Sequence, residues 1–351
     1  MSDKSKPGEA IPTPVSFATI RDQDWPIAYL RRAMERERIP SGYLFHGPHH
    51  VGKRTTALAL AKALNCRDIP SGDQPPNGQP PTGARDACNT CPSCRQVEAE
   101  VHPDVETIRP DGQFIKIDQV RGVAENLSLN PFQARKRVIV LSQAERMNPQ
   151  AANAFLKTLE EPPENTLIVL CVEDASRLPE TIVSRCLPVQ FGLLNESTVR
   201  EVLARDWPLD DEALEFAVRY ARGRLRPELS GKIARWIEIR DHMTQWLIAM
   251  DKPLFAQISE EVSRWGASDD WRFVLEWLEG WFRDVALLSG GVAVEKLLNQ
   301  DRLDALRQCA GQWTPEQVLA HYRTVLDTRD GLWLNANKAL ACEAMWLGFK
   351  S

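Results

Sequence analysis

GYLFHGPHHVGKRT, residues 42–55, is the stretch on which the fold turns. Gly42–His46 is a short apolar run that predicts a buried strand. Gly47-Pro-His-His-Val-Gly52-Lys53 follows it and fits the spacing Gly-x4-Gly-Lys. From Thr55 to Asn65, Ala57, Leu60, Ala61 and Leu64 recur at helical intervals. A strand, a glycine loop and a helix open a βαβ unit. In that context backbone N–H groups converge on a phosphate at the helix N-terminus, and the lysine reaches the outer phosphates. Gly47, Gly52, Lys53 and Thr55 are therefore the candidate nucleotide-site residues. An ordinary glycine turn is the competing reading, outweighed by the three features coming together.

Working outward, two defects accumulate. The residue after the lysine, normally a hydroxyl on Mg²⁺, is Arg54, which cannot ligate a cation; Thr55 stands one position too late. Three further apolar runs, Val105–Ile108, Arg137–Leu141 and Leu167–Val172, predict buried strands of a parallel sheet. The second should end in the acids that hold Mg²⁺ and polarise water, but it runs into Ser142-Gln143. Neither can replace a carboxylate, so hydrolysis by this chain is not expected. Between the last two strands Asn148–Glu161 predicts a helix, capped by Asn148, started by Pro149 and buried through Ala152, Phe155, Leu156 and Leu159.

Four of the eight cysteines, Cys66, Cys88, Cys91 and Cys94, form the other motif. Three thiols within seven residues and a fourth after a helix suit a closed structural Zn²⁺ site. A redox dithiol and an iron–sulfur cluster are the alternatives, set aside because no redox partner motif accompanies them. His102 is a further candidate ligand, although His-Pro-Asp also suits a turn. Residues 69–83 hold five Pro and three Gly and predict a disordered surface insertion.

Composition limits the rest. The chain has 351 residues, 43 basic against 48 acidic side chains and a net charge of −5, which argues against a basic nucleic-acid coat. No apolar run reaches a membrane span, and the N-terminus lacks a signal core, so no membrane and a cytoplasmic location are expected. Ten of eleven tryptophans fall from Trp207 onward. Strand signals fade after Phe191, and Trp271, Trp277 and Trp281 recur at helical intervals as core residues first, with some as interface anchors second. The division expected is a flexible tail at 1–17, an α/β domain at 18–192 with the cysteine insertion at 66–94, a small helical domain at 193–244 and a second helical domain at 245–351.

In order along the chain, GPHHVGK, the four cysteines, HPD at 102–104, IKIDQVR at 115–121, NPQAANAFLKTLEEPP at 148–163, LPETIVSRC at 178–186 and NANKALACEA at 335–344 resemble the AAA+ clamp-loader family of bacterial DNA polymerase III. The resemblance is dense from about residue 20 to 192 and thinner beyond. It implies a P-loop (AAA+) domain with a parallel sheet and an inserted zinc knuckle, then a helical lid and an all-α collar. It implies partners too: motor-type (gamma/tau) and delta subunits, and through the assembly a sliding clamp and primer–template DNA. Arg185 of Ser184-Arg185-Cys186 matches the family's arginine finger, offered in trans to a neighbour's ATP site; a surface ion pair is its commonplace alternative. Arg226 matches a second sensor arginine, with a helix-surface role equally open. Val172-Glu173 stands where motor subunits carry a polar γ-phosphate sensor. Arg54, Ser142 and Gln143 depart from the motor pattern and put ATP binding itself in doubt. The expected role is a stator with no ATPase or polymerase chemistry of its own. The alternatives are an active motor subunit and a zinc-dependent DNA-binding or repair protein.

Overall fold

The computed structural model describes residues 15–68, 86–127, 131–226, 229, 231–249, 270–333 and 336–349. The chain divides into two compact units, Met1–Val202 with Arg222–Arg226, and Leu203–Ala221 with Pro227–Ser351. The 69–83 insertion lies outside the described residues.

The first unit is built on five parallel strands: β1 (Gly42–His46), β2 (Val105–Ile108), β3 (Arg137–Ser142), β4 (Thr166–Val172) and β5 (Leu187–Gln190). Their order in the sheet is β2-β3-β4-β1-β5, so β1 lies between β4 and β5. Alternate residues of the buried strands feed two cores, as a sheet covered on both faces requires. Tyr43, Phe45, Val138, Val140, Leu167 and Val169 face one core together with helix α1 (Asp24–Glu35) and helix α2 (Lys53–Asn65). Leu44, Ile139, Leu141, Ile168, Leu170 and Val172 face the other, against helix α4 (Ile117–Leu127) and helix α5 (Pro149–Glu160). Helix α3 (Pro92–Glu98) carries the cysteine insertion, and the four-residue α6 (Glu180–Val183) precedes β5. Asn148 caps α5 as expected, its side chain accepting from the Ala151 N–H at 2.8 Å, and Phe155 is fully buried.

β5 is the strand that periodicity missed. It is four residues long, contains Pro188 and occupies the sheet edge, where a proline is tolerated because no ladder donor is missed. The expected tail also needs correcting at its end, since Ser16 and Phe17 are buried. Glu98 accepts from the Val15 N–H, and Asp86 from the N–H groups of Phe17 and Ala18 at 3.0 and 2.9 Å. Residues 1–14 lie outside the described residues.

The second unit is helical: the end of α7 (Glu196–Asp206), α8 (Asp211–Ala221), α9 (Ile233–Ile248), α10 (Trp271–Ser289), α11 (Leu303–Gln312), α12 (Pro315–Trp333) and α13 (Lys338–Gly348). Trp277 and Trp281 are core, as their spacing predicts. Trp236 of α9 stacks on Phe273 of α10 at 4.9 Å, and Phe216 and Tyr220 of α8 pack on the same ring. The boundary read at 244/245 falls inside α9, and helices from both sides of it share this aromatic core. The rise in tryptophan along the sequence marks burial within one unit, not a linker. Among the described residues no helix is long and apolar enough to cross a membrane.

Candidate functional site

The phosphate loop joins β1 to α2. Gly47 has φ +138°, and a Cβ there would lie 2.3 Å from the Phe191 carbonyl oxygen, so only glycine lets the loop pass that close. Gly52 caps α2 at φ +97°, again in the left-handed region. Lys53 is buried and its ammonium donates to the carbonyls of Gly47 (2.6 Å) and Pro48, so the lysine is tied to its own loop. Burial pulls the Lys53 pKa down, and the nearby Arg224 charge adds to that. Thr55 is exposed; it is Thr56 whose hydroxyl donates back to Gly52 O at 2.9 Å. Arg54 turns away from the loop and pairs with Glu100, which it holds below the usual carboxylate range with help from Arg109.

Two carboxylates face the loop. Glu145 lies in the short turn Ala144–Arg146 beyond β3, its side chain only 6% exposed, and its Oε1 accepts from the Glu173 N–H at 3.3 Å. His49, from the loop, places Nε2 3.2 Å from Glu173 and 3.8 Å from Glu145. Burial lowers His49 to about 4 despite Glu173, leaving a neutral imidazole at neutral pH, and burial raises the Glu145 carboxyl. Glu145 Oε2 and Ser142 Oγ are buried with no hydrogen-bond partner among the described residues. Reading only Ser142 and Gln143 at the end of β3 missed Glu145, because the left-handed Gln143 (φ +55°) doubles the chain back and returns Glu145, two residues on, to the site. A segment distant in sequence closes the loop: the Leu225 N–H donates to His50 O at 2.9 Å, which brings Arg224 and Arg226 alongside. Gly223 precedes this segment at φ +74°, where a Cβ would come within 2.7 Å of Leu194 O.

The cysteine site is assembled from the end of α2 and from α3. Asn65 fixes α2 to the start of β3, donating to Lys136 O and accepting from Lys136 N–H. The sulfurs of Cys66, Cys88, Cys91 and Cys94 all lie within 4.8 Å of one another, Cys88 and Cys94 at 4.0 Å. Tetrahedral Zn–S bonds of ~2.3 Å require sulfurs about 3.8 Å apart, so the four residues fit a metal such as zinc. Backbone N–H groups of Cys88, Cys91 and Cys94 point at the sulfurs of Cys66, Cys88 and Cys91 at 3.2–3.4 Å, which favours negative sulfur. Burial pushes Cys66 and Cys94 up, whereas at Cys88 the Thr90 hydroxyl and the Cys91 and Thr90 N–H groups outweigh burial and bring the thiol to about 6. A bound dication would lower all four together. His102 is not among them: it is buried and accepts at Nδ1 from the Asp104 N–H at 3.1 Å.

Arg185 stands apart from the loop, at the turn between α6 and β5. Its flanking Cys186 is buried, and a Cβ on Gly42 would come within 3.2 Å of Cys186 Sγ and 3.3 Å of Arg185 O. The backbone at 185 is thus seated on β1 while the guanidinium projects outward, 35% exposed.

A parallel sheet in this order, a phosphate loop after its inner strand β1, a four-cysteine insertion and a helical C-terminal unit together define an AAA+ P-loop chain. A family model described as DNA polymerase III, delta subunit, matches residues 23–195, and a second, for the C terminal of the delta subunit, matches 236–350. The chain belongs to the clamp-loader subunits of DNA polymerase III. It is 28% identical over 322 residues to DNA polymerase III subunit delta' of Bacillus subtilis (strain 168), covering 88% of this chain and 90% of that one. It is 32% identical over 225 residues to subunit tau of Escherichia coli (strain K12), covering 62% of this chain and only 32% of tau's length. Among solved structures it is similar to a DNA polymerase III gamma subunit-related protein from Thermotoga maritima, with 17% identity, 92% and 98% coverage and a TM-score of 0.38.

Proposed function

We propose that this chain is the delta-prime, stator-type subunit of a clamp loader: it hydrolyses no ATP itself and lends Arg185 to the ATP site of a neighbouring subunit. The observation that carries the first half is the pair Glu145 and Glu173 at the phosphate loop, with His49 laid on them and Lys53 held by loop carbonyls. A triphosphate entering there would meet two carboxylates with no hydroxyl after Lys53 to hold a Mg²⁺ between them and the phosphates, Arg54 standing in that place. Coulomb repulsion in a site of reduced dielectric, without Mg²⁺ to offset it, opposes binding and hydrolysis alike. Similarity to a delta' subunit along 88% of the chain supports the same reading, whereas similarity to tau covers 62%.

For the second half, a guanidinium at a fixed turn, half-exposed and always charged, suits transition-state charge on a transferred phosphoryl group. Arg226 and Arg224 border the chain's own degenerate loop, where Gly47, Gly52 and Lys53 persist as architecture. Cys66, Cys88, Cys91 and Cys94 hold a structural Zn²⁺ in this reading, which fixes the insertion and does no chemistry. In this reading the helices of the second unit serve together as lid and collar and join motor-type and delta subunits that act on a sliding clamp and primed DNA. The test is assembly with motor-type subunits of the same organism, scored for clamp loading and ATP turnover. Assembly with turnover that depends on Arg185 supports the proposal. Motor-like hydrolysis by the chain alone, abolished by Lys53→Ala, makes it a motor subunit instead.

A further inference from the structure

The guanidinium of Arg185 is held from two directions. Its Nη1 donates to Thr181 O at 2.7 Å, within its own turn, with Ser184 Oγ at 3.5 Å. Its Nη2 donates to Glu160 Oε1 at 2.7 Å, and Glu160 is the last residue of α5. The two elements are separate in sequence, so among the described residues Glu160 supplies the contact that ties the side chain to α5. The Nε–H meets no acceptor among the described residues, and the side chain is 35% exposed.

We infer that Glu160 is the positioning residue of the arginine finger: it orients Arg185 in the free subunit and keeps it oriented when a neighbour's phosphate arrives. This rests on the reading of Arg185 as a finger. An arginine side chain loses much rotamer freedom when it is fixed, and fixing it beforehand removes that cost from the assembled site. Both partners are exposed, Arg185 at 35% and Glu160 at 48%, so the pair is nearly neutral for stability and its effect is on aim. A misplaced catalytic group costs far more in rate than such a contact contributes to folding.

The experiment measures steady-state ATP hydrolysis by the reconstituted assembly, with sliding clamp and primed DNA, carrying Glu160→Ala, Glu160→Asp, Glu160→Gln, Arg185→Ala or the Glu160→Ala/Arg185→Ala pair. Glu160→Ala should lower kcat about tenfold with KM for ATP unchanged, because the finger acts on the transition state. Glu160→Asp, one methylene too short, should lower it in the same direction. Glu160→Gln keeps a side-chain oxygen at the same reach and should stay within about twofold of the parent. The double variant should be no slower than Arg185→Ala. Full turnover with Glu160→Ala alongside loss with Arg185→Ala overturns the positioning role and leaves the finger. Additive losses in the double variant overturn it too, placing Glu160 in another task. Full turnover with Arg185→Ala sinks the finger reading itself.

Discussion

Asp104 of the HPD turn, just before β2, gives the sharpest test of how the α/β unit is held together. Its side chain is fully buried. Oδ1 accepts from the Phe132 N–H at 2.8 Å and from Arg137 Nη2 at 3.2 Å; Oδ2 accepts from Gln133 and Ala134 N–H at 2.8 and 2.9 Å. One carboxylate thereby pins the 132–134 loop and neutralises an arginine at the start of β3. Burial alone would raise its pKa, but the three backbone donors and Arg137 outweigh burial and hold it below the ordinary aspartate value. Asp104→Ala removes the carboxylate that pairs with Arg137, whose side chain is 10% exposed, and orphans three N–H groups. Removing one partner of a buried pair costs about 3–5 kcal/mol. The orphaned donors, at ~1–3 kcal/mol each, overlap with that figure because the loop can relax toward water. A loss of about 4 kcal/mol is expected, roughly a quarter or more of the ~5–15 kcal/mol available to a domain. Urea unfolding followed by far-UV circular dichroism reads the total, and amide exchange across 105–108 and 132–138 locates it. With a depressed folded pKa, the contribution is full above the unfolded value and fades as pH falls through the folded one, so parent and variant should converge in acid. A loss below about 1 kcal/mol, with exchange unchanged, would refute the reasoning.

The cysteine insertion and residues 15–18 should respond as one, since Asp86 and Glu98 flank Cys88, Cys91 and Cys94 and receive the N–H groups of Val15, Phe17 and Ala18. Cys94→Ser, or removal of metal with a chelator, should release one equivalent of zinc and speed amide exchange at 15–18; metal loss with unchanged exchange there would show the two are independent. In the helical unit His321 is 5% exposed among Phe282, Trp313 and Phe349, and burial lowers its pKa. Its neutral form is the one the fold accepts, so its contribution is full above the unfolded pKa of ~6.5 and shrinks as pH falls below it. His321→Phe should flatten that acid dependence in thermal unfolding, and an unchanged profile would show that other groups set it.

The strands and helices that bury apolar residues on a regular period were legible in the sequence. β1, β3, β4 and α5 lie within a residue or two of where periodicity and Asn148 put them, because burial on both sheet faces leaves a long apolar run. The cysteine cluster was legible because its ligand spacing is local. What escaped depends on chain reversal and distance. β5 is short, on the edge and interrupted by Pro188; Glu145 returns to the loop only through a left-handed Gln143; and Val15 meets Glu98 across 83 residues. The pairing of Arg185 with Glu160 bridges 25 residues, and neither side chain alone signals it.

In the proposed role this subunit contributes to ATP hydrolysis across an interface and not in its own loop. Turnover by the reconstituted assembly, with Lys53→Ala and Arg185→Ala compared in this chain alone, tests it most directly. Lys53→Ala should leave turnover at the parental rate, and Arg185→Ala should lower the neighbouring site's rate by ~10³ or more, as for an arginine finger. A collapse with Lys53→Ala and full turnover with Arg185→Ala would contradict the account.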